Sequence, residues 1–343
     1  MSHRHVIIPI FVPHKGCPHD CIFCNQKKIS GQLDDLKPEQ VSQIVEEHLK
    51  TIDKSSFVEI AFYGGSFTAI DLSLQESYLK AAAKYVETES VTEIRLSTRP
   101  DCINEEILEL LRKYYVKTIE LGVQSLDDEV LSASNRGHDS KCVCESARLI
   151  KQWGFRLGIQ TMTGLPGDTR EKCINTAKKV IEIAPEIVRI YPVLVIKGTE
   201  LERKYIQGIY EPQSLDEAVD LCAELLSMYE EHNIKVIRIG LQATENINEN
   251  SDSEVAAGPI HPAIRQLVEA RLSLKKIEEA LEKEGSKDIN ELIIYTGPNN
   301  ISNVIGQKRA NIKYLESKYH MRVKIKTDDS IGKEIVLKNN NNM

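Results

Sequence analysis

The run Cys17-Pro18-His19-Asp20-Cys21-Ile22-Phe23-Cys24 constrains this chain more than any other stretch. Three thiols fall within eight residues, directly after a strand-like apolar run over residues 6–12. Thiols this close, in a loop that also holds Pro, His and Asp, read as ligands and not as core. Iron–sulfur clusters usually take four cysteine thiolates. Three at gaps of three and two would hold three irons of a cubane and leave the fourth open to a small ligand. Structural zinc is the other reading of the same residues, with His14 or His19 completing the set. The spacing alone leaves both open.

A chain of 343 residues is long enough for one large α/β domain and a small one. Hydrophobic residues at 41% and charged residues at 28% are ordinary for a globular protein in water. No apolar run approaches the roughly 20 residues of a membrane span, so no membrane partner is expected. The opening Met-Ser-His-Arg-His lacks a signal-peptide profile. The expected location is the cytoplasm, where thiols stay reduced. Cys102, Cys142, Cys144, Cys173 and Cys222 are scattered and read as ordinary small residues. Charge is uneven. From residue 263 onward 15 Lys and Arg face 11 Asp and Glu, whereas the rest has 29 against 40. A basic tail on an acidic body hints at an anionic partner for the tail.

After the cysteine loop, strand-like and helix-like segments alternate. Strands are predicted at 58–63, 93–98, 118–123, 156–162, 187–193 and 235–241. Amphipathic helices are predicted at 38–52, 72–86, 104–114, 140–153, 169–183 and 215–232. Pro38 suits a first helical turn, and Asp139 and Asp168 suit N-caps. Repeated strand–helix units imply a parallel sheet with right-handed crossovers. No Gly-x-Gly-x-x-Gly follows the first strand, which favours a full or partial barrel over an open dinucleotide-binding sheet. Chemistry in barrels collects at the C-terminal strand ends. The cysteine loop, Gly64-Gly65-Ser66, 97–101, 122–125 and 164–167 all fall there.

Residues 245–254, rich in Asn, Asp, Glu and Ser, read as a linker. The expected organisation is a barrel over 1–244, a linker over 245–262 and a small basic α/β domain over 263–343.

Phe23 before Cys24 completes a Cys-x-x-x-Cys-x-aromatic-Cys pattern that resembles the radical S-adenosylmethionine (SAM) superfamily. Gly64-Gly65-Ser66 is similar to the glycine-rich second-strand end of that superfamily. Three longer stretches, 97–101, 120–125 with 135–138, and 190–201, look like the catalytic subunit of Elongator, which modifies wobble uridine in tRNA. Gly164-Leu165-Pro166-Gly167 and residues 236–239 agree. The oxygen-independent coproporphyrinogen oxidases share some of these segments more loosely. The resemblance covers about residues 5–242.

The resemblance implies an α/β fold, a partial (β/α)6-type TIM-like radical SAM barrel. It implies a [4Fe–4S] cluster on Cys17, Cys21 and Cys24, with SAM on the open iron. Gly64, Gly65 and Ser66 would hold the methionine end of SAM; bare glycine lets backbone carbonyls approach an ammonium closely. Gln124 and Arg136 would contact its polar groups, Arg136 suiting a carboxylate. The competing reading pairs Arg136 with Asp127 or Asp128 and Gln124 with sheet-end backbone. Ser97 stands where relatives carry Glu, and Gln160 where they carry an inward His or Asp. A low-potential electron donor such as ferredoxin or flavodoxin is implied as well. The hundred or so residues after Leu241 are too few for Elongator's acetyltransferase domain, so acetyl transfer is not expected.

In its place, 305–313 resembles the Ile-Gly-x-x-Gly-x-x-Ile core of a KH domain, whose loop clamps single-stranded RNA. Gly306, Lys308, Arg309 and Lys313 are the candidate RNA contacts, with Arg309 standing where the second glycine belongs. Lys318, Arg322, Lys324 and Lys326 are expected around them, opposed only by Glu316. The leading expectation is a radical enzyme acting on RNA, with tRNA the expected substrate, through a 5′-deoxyadenosyl radical. The alternatives are a small-molecule or protein substrate, or a cluster-bearing RNA-binding protein without catalysis.

Overall fold

The computed structural model describes residues 4–12, 21–25, 36–241, 247–248, 250, 253–284 and 290–339. Cys17, His14, His19, part of the expected linker and residues 340–343 lie outside that set. Packing divides the chain into two compact units, Met1–Ser214 with Tyr229–Ile260, and Leu215–Met228 with His261–Met343.

In the first unit, strands β1 (His5–Val12), β2 (Phe57–Gly64), β3 (Glu93–Thr98), β4 (Val116–Gln124), β5 (Arg156–Thr163) and β6 (Ile187–Pro192) are followed by a short β7 (Val195–Ile196) and by β8 (Lys235–Ile239). Seven of them form one parallel sheet in the order β1-β2-β3-β4-β5-β6-β8. This is the partial barrel expected from the strand–helix repeats. One strand pairing was not expected: β9 (Val255–Ala257), inside the predicted linker, runs antiparallel to β7.

The helices are α1 (Pro38–Leu49), α2 (Leu72–Glu87), α3 (Glu105–Lys113), α4 (Asp128–Ala133), α5 (Ser140–Gln152), α6 (Arg170–Ile183), α7 (Glu200–Ile206) and α8 (Leu215–Glu231), of which Leu215–Met228 belongs to the second unit. Those from α2 to α7 start where a short polar side chain satisfies free N–H groups. Asp71, Asn104, Asp127 and Asp139 cap α2 to α5 in turn. The expected cap of α6 is corrected: Thr169, not Asp168, accepts from Lys172 N. Asp168 instead accepts from Gly164 N (3.1 Å) and from the Cys173 thiol (3.0 Å), which ties the β5 end to α6.

Strand side chains alternate between faces, and the two faces differ in kind. Ile60, Phe62, Ile94, Leu96, Ile119 and Leu121 lie on the apolar one and are fully buried. Glu59, Arg95, Glu120 and Arg189 lie on the other and are also buried. Because every strand of the sheet is parallel, Val12, Gly64, Thr98, Gln124, Thr163 and Pro192 end on one edge.

The second unit contains α9 (Ile264–Glu284), β10 (Glu291–Thr296), α10 (Ile301–Ile305), α11 (Ala310–Tyr319), β11 (Arg322–Thr327) and β12 (Ile335–Asn339). Its sheet runs β11-β10-β12, with β10 parallel to β11 and antiparallel to β12. Ile277, Leu281, Ile294, Val304, Leu315 and Val323 form its core.

Candidate active site at the strand ends

Cys21 and Cys24 sit just past β1, Cys21 buried and Cys24 partly so. The segment between them is anchored on two sides. Ile22 N donates to Ser134 O at 3.2 Å, and Leu201 N donates to Ile22 O at 2.8 Å. Ile22 itself packs among Val130, Leu165, Val193 and Leu201. The Cys21–Cys24 segment is thus held by chain that follows β4 and β6.

Arg136 reaches this loop. Its Nη1 donates to Cys21 Sγ at 3.3 Å and its Nη2 to Gly122 O at 2.5 Å. Its Nε is buried and has no partner among the described residues. The competing pairing with Asp127 or Asp128 does not occur. Asp127 caps Val130 N and pairs with Lys172 at 3.2 Å, while Asp128 binds Ser140 N and Oγ. Two residues missed in the sequence position Arg136. Arg99 Nη2 donates to Arg136 O at 2.6 Å, and Asp101 holds the Arg99 guanidinium at 2.9 and 3.0 Å. Both lie in the 97–101 segment, where a charged pair two residues apart at a strand end was the available signal.

The glycines answer to sterics. Gly64 has φ +110°, and a Cβ there would lie 2.4 Å from Val12 O. Gly65 N donates to Val12 O at 3.3 Å, so the turn is sewn to the residue where β1 ends. At Gly122 a Cβ would lie 2.9 Å from Arg136 Nη2 and 3.0 Å from Gln124 Nε2. Gln124 has φ +68° at a register shift between β4 and β5, a left-handed turn that ends the strand. Ser66 is buried, and its hydroxyl is engaged by Thr98 Oγ1 (2.8 Å) and Arg99 N (3.1 Å). That side chain joins the β2 and β3 ends, which leaves its backbone as the part able to meet a ligand. Ser97, half-buried, accepts from Gln160 Nε2 at 3.2 Å.

Below these ends runs a chain of buried charges. Arg95 bonds both Glu59 (2.7 Å) and Glu120 (3.1 Å). Arg189 bonds Glu120 through Nε at 2.5 Å and Tyr63 Oη at 3.0 Å. Burial alone would push the Glu120 carboxyl up, but Arg189 and then Arg95 outweigh it and hold it below the ordinary carboxylate value. His138, whose side chain is fully enclosed, is driven down to about 4, first by burial and then by the charges of Arg136 and Arg99.

In the second unit, Gly306 (φ +74°) turns the chain between α10 and α11, and a Cβ there would lie 2.9 Å from Asn311 Cγ. Buried Asn311 donates to Ala270 O (2.9 Å) and Asn303 O (3.1 Å), which fixes the turn on α9 and α10. Lys308 and Arg309 are exposed, and both adopt left-handed backbone (φ +51° and +63°). Lys313 is exposed one turn further on. The wider basic ring is corrected. Lys318 pairs with Glu278 at 2.5 Å and Lys324 with Glu291 at 2.6 Å, so Glu316 is not the sole opposing acid.

The first unit fits a cluster-and-SAM site on its own chemistry. It brings two of the three predicted thiols, Cys21 and Cys24, a buried guanidinium nitrogen on Arg136 without a partner among the described residues, and a glycine at 122 where a Cβ would crowd that guanidinium. The radical SAM superfamily pattern matches residues 11–180, and the radical SAM C-terminal domain pattern matches residues 185–274. The chain belongs to the radical SAM superfamily and is a radical SAM enzyme, a class that uses a [4Fe–4S] cluster and SAM.

Within that class it resembles Elongator-type proteins. An uncharacterized protein of Methanocaldococcus jannaschii is 29% identical over 79% of this chain and 83% of its own. A tRNA uridine(34) acetyltransferase of the same organism is 26% identical over 63% of this chain and 47% of its own. Human Elongator complex protein 3 is 32% identical over 53% of this chain and 37% of its own. The chain therefore spans about half or less of those two named relatives. Among solved structures, Elp3 of Methanocaldococcus infernus aligns with a TM-score of 0.61 at 21% identity, over 83% of this chain and 64% of that one. This likeness supports the fold. No helix among the described residues is long and apolar enough to cross a membrane.

Proposed function

We propose that Cys17, Cys21 and Cys24 hold the cluster, that the strand ends hold SAM, and that the substrate is RNA, with tRNA the leading candidate. When bound, the cofactors supply one-electron cleavage of SAM, yielding a 5′-deoxyadenosyl radical that takes hydrogen from the substrate. The chain's own residues bind, orient and shield. Gly64 and Gly65 offer bare backbone to the methionine ammonium. The unpartnered Nε of Arg136 offers a donor to its carboxylate, with Gln124 beside Gly122. Ser97 stands at the β3 end.

The observation that carries the RNA reading is the turn at 306–309. Two adjacent cationic residues, Lys308 and Arg309, are held exposed in left-handed backbone. That conformation costs an L-residue about 1–2 kcal/mol, and such strain collects at functional sites. Gly306 and Lys313 flank them in a strand–helix–turn–helix–strand order like that of a KH domain. Relatives named as tRNA uridine(34) acetyltransferases support the same reading. Mass spectrometry of tRNA nucleosides from cells with and without the protein tests it. A nucleoside that vanishes in its absence is expected. Identical nucleoside profiles, together with purified protein that fails to bind tRNA at low salt, would move the substrate to a small molecule or protein.

A further inference from the structure

We infer that Arg136 is a positioning residue for the cluster itself, which donates a hydrogen bond to the Cys21 thiolate and raises the cluster's reduction potential. The inference rests on the reading of Cys21 as a cluster ligand. Nη1 of Arg136 lies 3.3 Å from Cys21 Sγ, within reach of an N–H···S bond, and Arg136 is 6% exposed. The guanidinium is clamped and not merely nearby. Nη2 is fixed on Gly122 O, and the Arg136 carbonyl is fixed by Arg99, itself locked by Asp101.

Cys21 is held in turn. Its neighbour Ile22 is bonded to Ser134 O, two residues before Arg136. Donor and sulfur therefore belong to one bolted unit, and the contact does not depend on a mobile side chain. Among the described residues no carboxylate pairs with Arg136, so its charge is not cancelled locally.

The chemical consequence has a sign. Reduction adds an electron to a cluster whose thiolates already carry negative charge. Donors to the sulfurs and nearby positive charge stabilise that extra electron, and both are established determinants of cluster potential. A buried, charge-assisted donor acts more strongly than a solvated one. Arg136 thereby makes the electron entering from a low-potential donor easier to accept, before any substrate is bound. The Nε left over remains available to a second acceptor.

The test is a potentiometric titration, followed by electron paramagnetic resonance of the reduced cluster, on anaerobically reconstituted full-length protein without SAM. Arg136→Met should load iron and sulfide like the wild type but show a midpoint shifted to more negative potential. Arg136→Lys, which keeps a donor and the charge, should show a smaller shift in the same direction. A fully loaded Arg136→Met variant with an unchanged midpoint would overturn the inference. Should the Met variant fail to load, resonance Raman of the wild type decides. The Fe–S(Cys) bands should move on exchange into D₂O, and move less in Arg136→Lys; bands equally shifted in both would overturn it. Cys21→Ala separates the two levels: if that variant keeps wild-type iron and sulfide, the ligand reading falls, whereas its loss of cluster leaves Arg136 to be judged by the midpoint alone.

Discussion

A Cβ on Gly64 would lie 2.4 Å from Val12 O, so the end of β2 is compatible only with glycine beside the end of β1. The two residues are register partners, and Val12 is the last described residue before the cysteine loop. Gly64→Ala must move one strand end or the other, and its φ of +110° adds backbone strain. The expected cost is about 2–4 kcal/mol of stability, from the strain and the forced shift together. The variant should also lose SAM binding. Denaturant midpoints and SAM-binding isotherms check both; wild-type values in each would refute the steric argument.

The Glu59–Arg95–Glu120–Arg189 chain predicts a severe stability defect from the loss of one carboxylate. Glu120 serves two arginines, Arg95 at 3.1 Å and Arg189 at 2.5 Å, and is 1% exposed. Glu120→Leu leaves Arg189 without its carboxylate in the interior. Removing one partner of a buried pair costs about 3–5 kcal/mol. Urea unfolding of the variant measures it. A loss below about 1 kcal/mol, the range of exposed pairs, would show that the network is solvated.

His138 gives stability a pH dependence. Its folded value is about 4 against an ordinary 6.5, lowered by burial and then by Arg136 and Arg99, with Asp101 at 3.9 Å opposing. Below pH 6.5 the unfolded chain takes up a proton that the folded chain refuses. Its contribution is therefore fully present above 6.5 and is lost as pH falls toward 4. From pH 7 to 5 the loss from this one group is about 2 kcal/mol. His138→Gln should flatten the apoprotein's stability curve in that window by this amount; a parallel curve would contradict it.

Strain and charge make opposite demands at Lys308 and Arg309. Glycine at both positions relieves left-handed backbone and should stabilise the second unit by about 1 kcal/mol. It also removes two cations. If they neutralise phosphates of single-stranded RNA, the slope of log affinity against log salt should fall by about 1.4. Thermal melts and tRNA binding across a salt series read the two effects separately. Gained stability with an unchanged slope would make the turn a structural cap.

Much of this was legible without coordinates, for identifiable reasons. The cysteine spacing, the glycine pair at 64–65 and the polar strand ends are local patterns, and local patterns survive in one dimension. The buried charges were half legible. Glu59, Arg95, Glu120 and Arg189 each stand between apolar neighbours on their strands, so the face they take follows from period two. Their pairing does not, since Glu120 and Arg189 are 69 residues apart. Arg136 was singled out as a SAM contact, but its bond to Cys21, 115 residues away, depends on how the chain after β4 folds back. Asp168 read as a cap because Asp before a helix usually is one; here the adjacent Thr169 takes that role and frees the carboxylate for Gly164.

The most direct test of the account is reductive SAM cleavage. Full-length protein, reconstituted with iron and sulfide and given dithionite, should convert SAM to 5′-deoxyadenosine and methionine, and Cys21→Ala, with its cluster lost, should form none. Cleavage by Cys21→Ala at the wild-type rate would contradict it.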